Sequence, residues 1–261
     1  MLRTVCATRY VTPLREGGSL PAIVEADDLG MYVLKFRGAG QGPLALVAEL
    51  IAGEIGRALG LKVPELVLME VDATLGRNEP DPEIRELLRA SVGLNLALDY
   101  LPGSASFDAA ADRVDAGLAS HVVWFDAFVT NVDRTPRNTN LLWWHKVLYL
   151  IDHGASLYFH HNWQSRGTMA ASRFPAVRDH VFLRWADRLG EADRRLRPLL
   201  GEALFAHLVQ AIPDDWLLPP GGDPELTPDD RRAGYVEFLT QRLAAASAFV
   251  EEAENARAQL V

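Results

Sequence analysis

Asp133 and Asn138 stand five positions apart in the densest polar run of the chain, Asn131 to Asn138, and Asp152 follows in Ile151-Asp152-His153-Gly154. An acid, an Asn and a second acid beside a Gly can converge three oxygen ligands on one point. Hard divalent cations such as Mg²⁺ take oxygen ligands in octahedral geometry and complete their shell with phosphate oxygens. Phosphoryl transfer from ATP needs such a metal, a carboxylate near the attacking hydroxyl and a cation on the donor phosphates. Lys35 offers the cation. It is one of only three lysines, with Lys62 and Lys146, and a compact ammonium is not interchangeable with the planar guanidinium that supplies the rest of the positive charge.

These residues need elements to hold them. Thr4 to Pro13, Ala22 to Glu25 and Met31 to Phe36 read as strands separated by the turns Glu16-Gly17-Gly18-Ser19 and Asp27-Asp28-Leu29-Gly30. Strand alternation puts Lys35 on one face with Val33, and Tyr32, Leu34 and Phe36 on the other. A Lys in so apolar a strand requires a partner or an open cleft. Leu44 to Leu59 carries apolar residues at helical spacing after Pro43 and stops at Gly60, so it reads as an amphipathic helix. Glu49 and Glu54 on that helix are the two candidate partners of Lys35. Val63 to Val71 and Gly93 to Tyr100 read as further strands with a short helix between them. After Pro102-Gly103-Ser104 the pattern turns helical: Ala109 to Thr130, nearly apolar in its second half, and everything from Phe174 onward, with breaks at Pro213, Pro219 to Gly222 and Pro228. Two short strands, Thr139 to Trp144 and Val147 to Ile151, lie between, and one last helix is expected over 228–260 with Thr227 as its N-cap.

Composition removes several alternatives. The chain has 261 residues, 35 acidic against 26 basic, and a net charge of −9. Such a balance is a poor start for tracking nucleic-acid phosphates, so no direct nucleic-acid binding is expected. No apolar run reaches the roughly 18 residues of a membrane span, and Met1 to Val11 alternates polar and apolar residues instead of forming a leader. The single Cys6 can form neither an intrachain disulfide nor a cysteine zinc site. Together these point to a cytoplasmic protein.

The order of strand Lys, helix Glu, Asp-x4-Asn and Asp-x-Gly resembles the protein-kinase fold in its wider sense. The wording of the motifs is most similar to the HipA-like kinases, with the phosphatidylinositol 3-/4-kinases more distant. The matching stretches are Glu16 to Pro21, Tyr32 to Phe36, Glu49 through Gly60-Leu61-Lys62-Val63-Pro64, Asp99-Tyr100-Leu101-Pro102-Gly103, Asp133 to Asn138 and Ile151 to Gly154. The resemblance implies a two-lobed α+β fold: a β-rich N-lobe with one long helix over residues 1–100, and a mostly helical C-lobe over 101–261. It implies that Lys35, held by Glu49, contacts the α- and β-phosphates of ATP. Asp133 is implied as the catalytic carboxylate, and Asn138 and Asp152 as the Mg²⁺ ligands. Leu98, Asp99 and Tyr100 are implied as the hinge that reads the adenine edge, and Gly17, Gly18 and Ser19 as the loop over the phosphates. The implied activity is phosphoryl transfer to a hydroxyl, Ser or Thr of a protein before a small-molecule acceptor, with a nucleotide-binding pseudokinase scaffold as the non-enzymatic alternative. Asn131-Val132 stands where eukaryotic protein kinases have His-Arg, and Asp-His-Gly replaces Asp-Phe-Gly. The matching stretches begin almost at the start of the chain, which implies a short form without the extra N-terminal domain of full-length HipA toxins.

Several residues are left with two readings. Asp126, inside the most apolar helix, is expected to be a buried acceptor for the backbone N–H groups of the loop that follows. Arg134 and Arg137 are either contacts to phosphate or acceptor or exposed loop arginines. His153, His160 and His161 match no common zinc spacing. Phe159 to Ser172 could be an activation segment, with Ser165, Thr168 and Ser172 as sites of self-modification.

Overall fold

The computed structural model describes residues 2–14, 20–77, 79–218 and 225–260. Three strands, β1 (Thr4–Pro13), β2 (Ala22–Ala26) and β3 (Met31–Lys35), follow one another as antiparallel neighbours. Helix α1 (Pro43–Ala58) leads to β4 (Leu66–Val71), helix α2 (Pro82–Ala90) and β5 (Gly93–Asp99). β5 pairs with both β3 and β4, and β4 runs parallel to β1, closing a barrel in the order β1-β2-β3-β5-β4. The alternation of β3 decides its interior: Tyr32, Leu34 and Phe36 pack with Val5, Val24, Val67 and Met69, and Ile84 and Leu88 of α2 join the same core. Lys35 is thereby turned out of the barrel, toward α1.

Helix α1 starts at Pro43, which suits a first turn lacking an N–H partner, and Gly60 follows its end at φ 81, a conformation that favours Gly. The helix is buried along most of its length because it packs on barrel strands β4 and β5, on residues 202–217 and, at Gly56, beside Phe125 of α3 (Ala116–Val129). Gly53 permits this approach: a Cβ there would come within 2.7 Å of Leu66 Cδ1. The consequence is that Glu49, midway along α1, has no solvent exposure.

α3 begins later than its apolar pattern predicts. Asp115 caps it by accepting from Leu118 N–H, while Asp108 forms a separate turn by accepting from Ala110 N–H. Thr130, at φ 57, ends α3 and swings the chain into the polar loop. A two-residue strand β6 (Ala105–Ser106), too short to show a pattern, joins the hairpin β7 (Leu141–Trp144) and β8 (Val147–Leu150). Short helices follow: α4 (Arg166–Ala170), α5 (Leu189–Leu196), α6 (Glu202–Val209) and α7 (Asp214–Leu217). The helix expected over 228–260 is two, α8 (Pro228–Ala244) and α9 (Ala246–Ala258), broken at Ala245 with no Pro or Gly to announce it. Past the break, Phe249 packs edge-on against Trp124, and the Arg242 guanidinium lies 4.6 Å from the Phe249 ring. Thr227 caps α8 in a reciprocal capping box with Asp230. Residues of α1, α3 and the later helices share one large core, and Trp216 of α7 donates its indole N–H to Leu94 O of β5 at 3.2 Å.

Candidate active site

Lys35 meets two carboxylates at once. Its Nζ lies 2.5 Å from Glu49 Oε2 and 2.5 Å from Asp152 Oδ1. An ammonium has three N–H donors, and the third has no partner among the described residues. Burial works against the ammonium, but Asp152 and Glu49 outweigh it and hold the amine above the ordinary lysine range. Burial would likewise raise Glu49; the Lys35 charge and the donors of His153 overcome it and bring its carboxyl down to about 2. The His153 N–H donates to Glu49 Oε2 at 2.7 Å, and the ring Nδ1 lies 3.3 Å from Oε1. Glu54, the other candidate, points elsewhere on the helix and pairs with Arg57 at 3.3 Å. Asp152 sits at φ 55 directly after the β7–β8 hairpin, and this left-handed turn of the backbone aims its carboxylate back at Lys35.

Asp133 forms a second cluster. Its Oδ2 accepts from Asn138 Nδ2 at 2.7 Å and from Asn140 Nδ2 at 3.2 Å, while Oδ1 has no partner among the described residues. The Asp133 N–H is held by Asn131 Oδ1 at 3.0 Å. Beneath the loop lies Asp126, fully buried, which accepts from Asn131 Nδ2 at 2.9 Å, Arg134 Nε at 2.6 Å and the His180 ring at 2.9 Å. Burial would raise Asp126, yet Arg134 and His180 hold it well below the carboxylate range. Side-chain donors, not the expected backbone N–H groups, satisfy this acid. Arg134 is accordingly no contact for phosphate or acceptor: its guanidinium is sealed on Asp126 and on Asn140 O, whereas Arg137 is exposed.

The remaining expected site residues fall as follows. Leu98 is buried between Val33 and Leu66 in the sheet. The N–H groups of Asp99 and Tyr100 already donate to Glu65 O at 2.8 Å and Met31 O at 3.0 Å. Gly17, Gly18 and Ser19 lie outside the described residues. Asn138 bonds Asp133, and its Oδ1, like Asp152 Oδ2, has no partner among the described residues. His160 contacts Tyr235 Oη at 3.0 Å and the His161 ring at 3.2 Å. Ser165 Oγ donates to Asn162 O and Ser172 Oγ accepts from Phe174 N–H, while Thr168 is exposed.

Three positioning residues escape the sequence reading. Asn140, at φ 50, is the second donor to Asp133; its only signal is the Asn-Thr-Asn run, since Asn tolerates that backbone. His180 reaches Asp126 across 54 positions, which no local pattern records. Arg242, fully buried, donates to Ala127 O and Phe128 O at the end of α3 and to Ala170 O and Ser172 O, joining the root of the polar loop to the end of the 158–172 segment.

The chain joins a barrel carrying a buried Lys–Glu pair to a helical region whose loops carry Asp133 and Asp152. The sequence matches the family described as HipA-like kinase over residues 8–233, and the chain belongs to that family. The structure is similar to the crystal structure of a Helicobacter pylori proinflammatory kinase, CtkA, with a TM-score of 0.58 and 14% identity, covering 100% of this chain and 99% of that one. At that identity the likeness shows the fold alone. No curated protein matches the sequence.

A kinase implies ATP and usually a divalent metal. The free oxygens of Asn138 and Asp152 are hard donors, and among the described residues no group of three or more His, Cys, Asp or Glu gathers to hold a metal. Such oxygens are the donor type Mg²⁺ takes together with water and phosphate, since it seldom takes an all-protein cage.

Proposed function

We propose that this protein transfers the γ-phosphoryl group of ATP, with Mg²⁺, to a Ser or Thr hydroxyl of a protein. The 1–100 region would serve as the nucleotide lobe and 101–261 as the catalytic lobe. One observation carries the reading: Lys35 is held between Glu49 and Asp152 with one N–H free, and the free Oδ1 of Asp133 belongs to the loop that also presents Asn138. The free N–H of Lys35 neutralises a donor phosphate. Asn138 and Asp152 hold Mg²⁺, which when bound supplies charge neutralisation on the phosphate oxygens. The acceptor hydroxyl oxygen bonds to the γ-phosphorus as the bond from that phosphorus to the β-bridging oxygen breaks and ADP departs. The hydroxyl proton passes to Asp133 Oδ1, whose orientation Asn138 and Asn140 maintain. Rate enhancement then comes from positioning and charge stabilisation, with no covalent enzyme intermediate.

The test is Asp133→Ala and Asp152→Ala, assayed with radiolabelled ATP against self-modification, protein mixtures and metabolite pools. Transfer should fall by roughly 10²- to 10³-fold, the loss typical of removing a group that stabilises the transition state, with melting largely unchanged. Undiminished turnover in both variants defeats the mechanism, and label confined to metabolites defeats the protein acceptor.

A further inference from the structure

A groove of about 580 Å³ opens beside the polar loop. One wall is Thr135, Pro136 and Arg137, the outer part of the loop that carries Asp133 and Asn138 at its two ends. The other wall runs from Arg178 to Val181 and on to Arg184. Arg137, Arg178 and Arg184 are all exposed, and the one acid among the lining residues described, Asp179, lies 3.6 Å from Arg178. Arg137 and Arg184 have no ion-pair partner among the described residues. The cleft is therefore net positive in a chain whose overall charge is −9.

The walls are locked together from below. Val181 N–H donates to Arg134 O at 3.0 Å. Buried Asp126 binds Arg134 of the loop at 2.6 Å and His180 of the facing wall at 2.9 Å. His180 Nδ1 accepts from Phe182 N–H, so its Nε2 carries the proton that reaches Asp126. At the rim, the guanidiniums of Arg184 and Arg113 lie 6.0 and 5.3 Å from the Trp185 ring. Open guanidinium forks on a fixed frame suit carboxylates, which they bind bidentately.

We infer that this groove receives an acidic polypeptide segment flanking the acceptor hydroxyl, an inference that rests on the protein-kinase reading above. Aspartate and glutamate side chains of the acceptor pair with Arg137, Arg178 and Arg184, and the loop between the groove and Asp133 brings the hydroxyl to the carboxylate. A polypeptide is favoured over a nucleic acid because the arginines form a short cluster that includes an acid, and the remaining surface carries the opposite sign from that needed to follow a phosphate backbone.

The test uses the full chain and fluorescence anisotropy, which needs no turnover. Three labelled probes are compared: a Ser peptide with Glu flanks, its Lys-flanked isomer and an oligothymidine. The Glu peptide should bind about tenfold or more tighter than the Lys isomer, weaken by a similar factor in Arg178→Glu/Arg184→Glu, and weaken as salt rises from about 0.05 to about 0.3 M. Both substituted side chains are exposed, so an unchanged melting curve verifies the fold. Equal affinity for the two peptides, no effect of the double substitution, or tighter binding of oligothymidine overturns the inference. Binding as expected with no phosphoryl transfer would remove the kinase reading and leave the groove. Transfer to Ser peptides regardless of their flanks would do the reverse.

Discussion

Glu49 and Asp126 are the same device used for two purposes. Each is a carboxylate without solvent exposure, each faces a cation and a histidine, and each is held below its ordinary range against the effect of burial. They differ in where the cation goes next. Arg134 has no exposed surface and directs its second contact to a backbone carbonyl, so the Asp126 cluster closes on itself. Lys35 directs its second contact to Asp152, whose side chain is 43% exposed. One buried charge pair joins the loop to the facing segment; the other carries charge to a partly exposed edge. A buried pair is weak evidence for net stability, but breaking one strands its partner at high cost.

That contrast can be broken experimentally. The largest effect belongs to Asp126→Ala, which leaves Arg134 buried and unpaired and should cost about 3–5 kcal/mol in urea unfolding, with some loss of turnover besides because Asp126 also anchors Asn131 beneath Asp133. Glu49→Gln should behave the other way. Gln still accepts from Lys35, so melting shifts modestly, while transfer falls by roughly 10²-fold as Lys35 loses its counter-charge. Equal stability losses in the two variants would erase the distinction.

His160 sharpens the comparison because it is buried and, among the described residues, its ring meets Tyr235 and His161 with no carboxylate bonded to it. Burial first, then the charges of His161 and Arg231, push it down to about 3. A base depressed on folding takes up its proton in the unfolded chain first, so stability falls with acid from about pH 6.5 toward about 3. The slope approaches about 1.4 kcal/mol per pH unit. Denaturant unfolding between pH 6 and 5 should show this slope, and His160→Asn should flatten it. Glu49 has the opposite origin: its contribution is complete above the usual carboxylate pKa and is lost only as pH falls toward about 2. The smallest effect is expected for Glu54→Gln, within about 0.5 kcal/mol by the same unfolding measurement, because a half-exposed i,i+3 pair with Arg57 contributes little.

Much of this arrangement was legible in the order of residues. Strand alternation put Lys35 opposite Tyr32, Leu34 and Phe36, and the barrel keeps that division. Helix spacing, Pro43 and Gly60 bounded α1 to within a residue or two. The same spacing left Glu49 and Glu54 equivalent, because a helix pattern does not say how far the helix is rotated about its axis; packing that sets Glu49 against Lys35 and the His153 N–H settled it. The start of α3 and the break at Ala245 were misread for a related reason. Apolar runs record that a stretch is buried, not where a cap or a neighbouring aromatic interrupts it.

The sequence by itself determined the chemical inventory: a scarce lysine on an apolar strand, an acid and an Asn five positions apart, and a second acid before His-Gly. Those follow from residue type and local spacing, which act within a few positions of the chain. Only the tertiary structure decided which carboxylate Lys35 meets, that Asn140 and Asn131 orient Asp133, that Arg134 is sealed while Arg137 is open, and that His180 and Arg242 secure the loop from far along the chain. Each of these depends on groups brought together by packing across tens of residues, where charge and hydrogen-bond geometry act through space and leave no periodic trace.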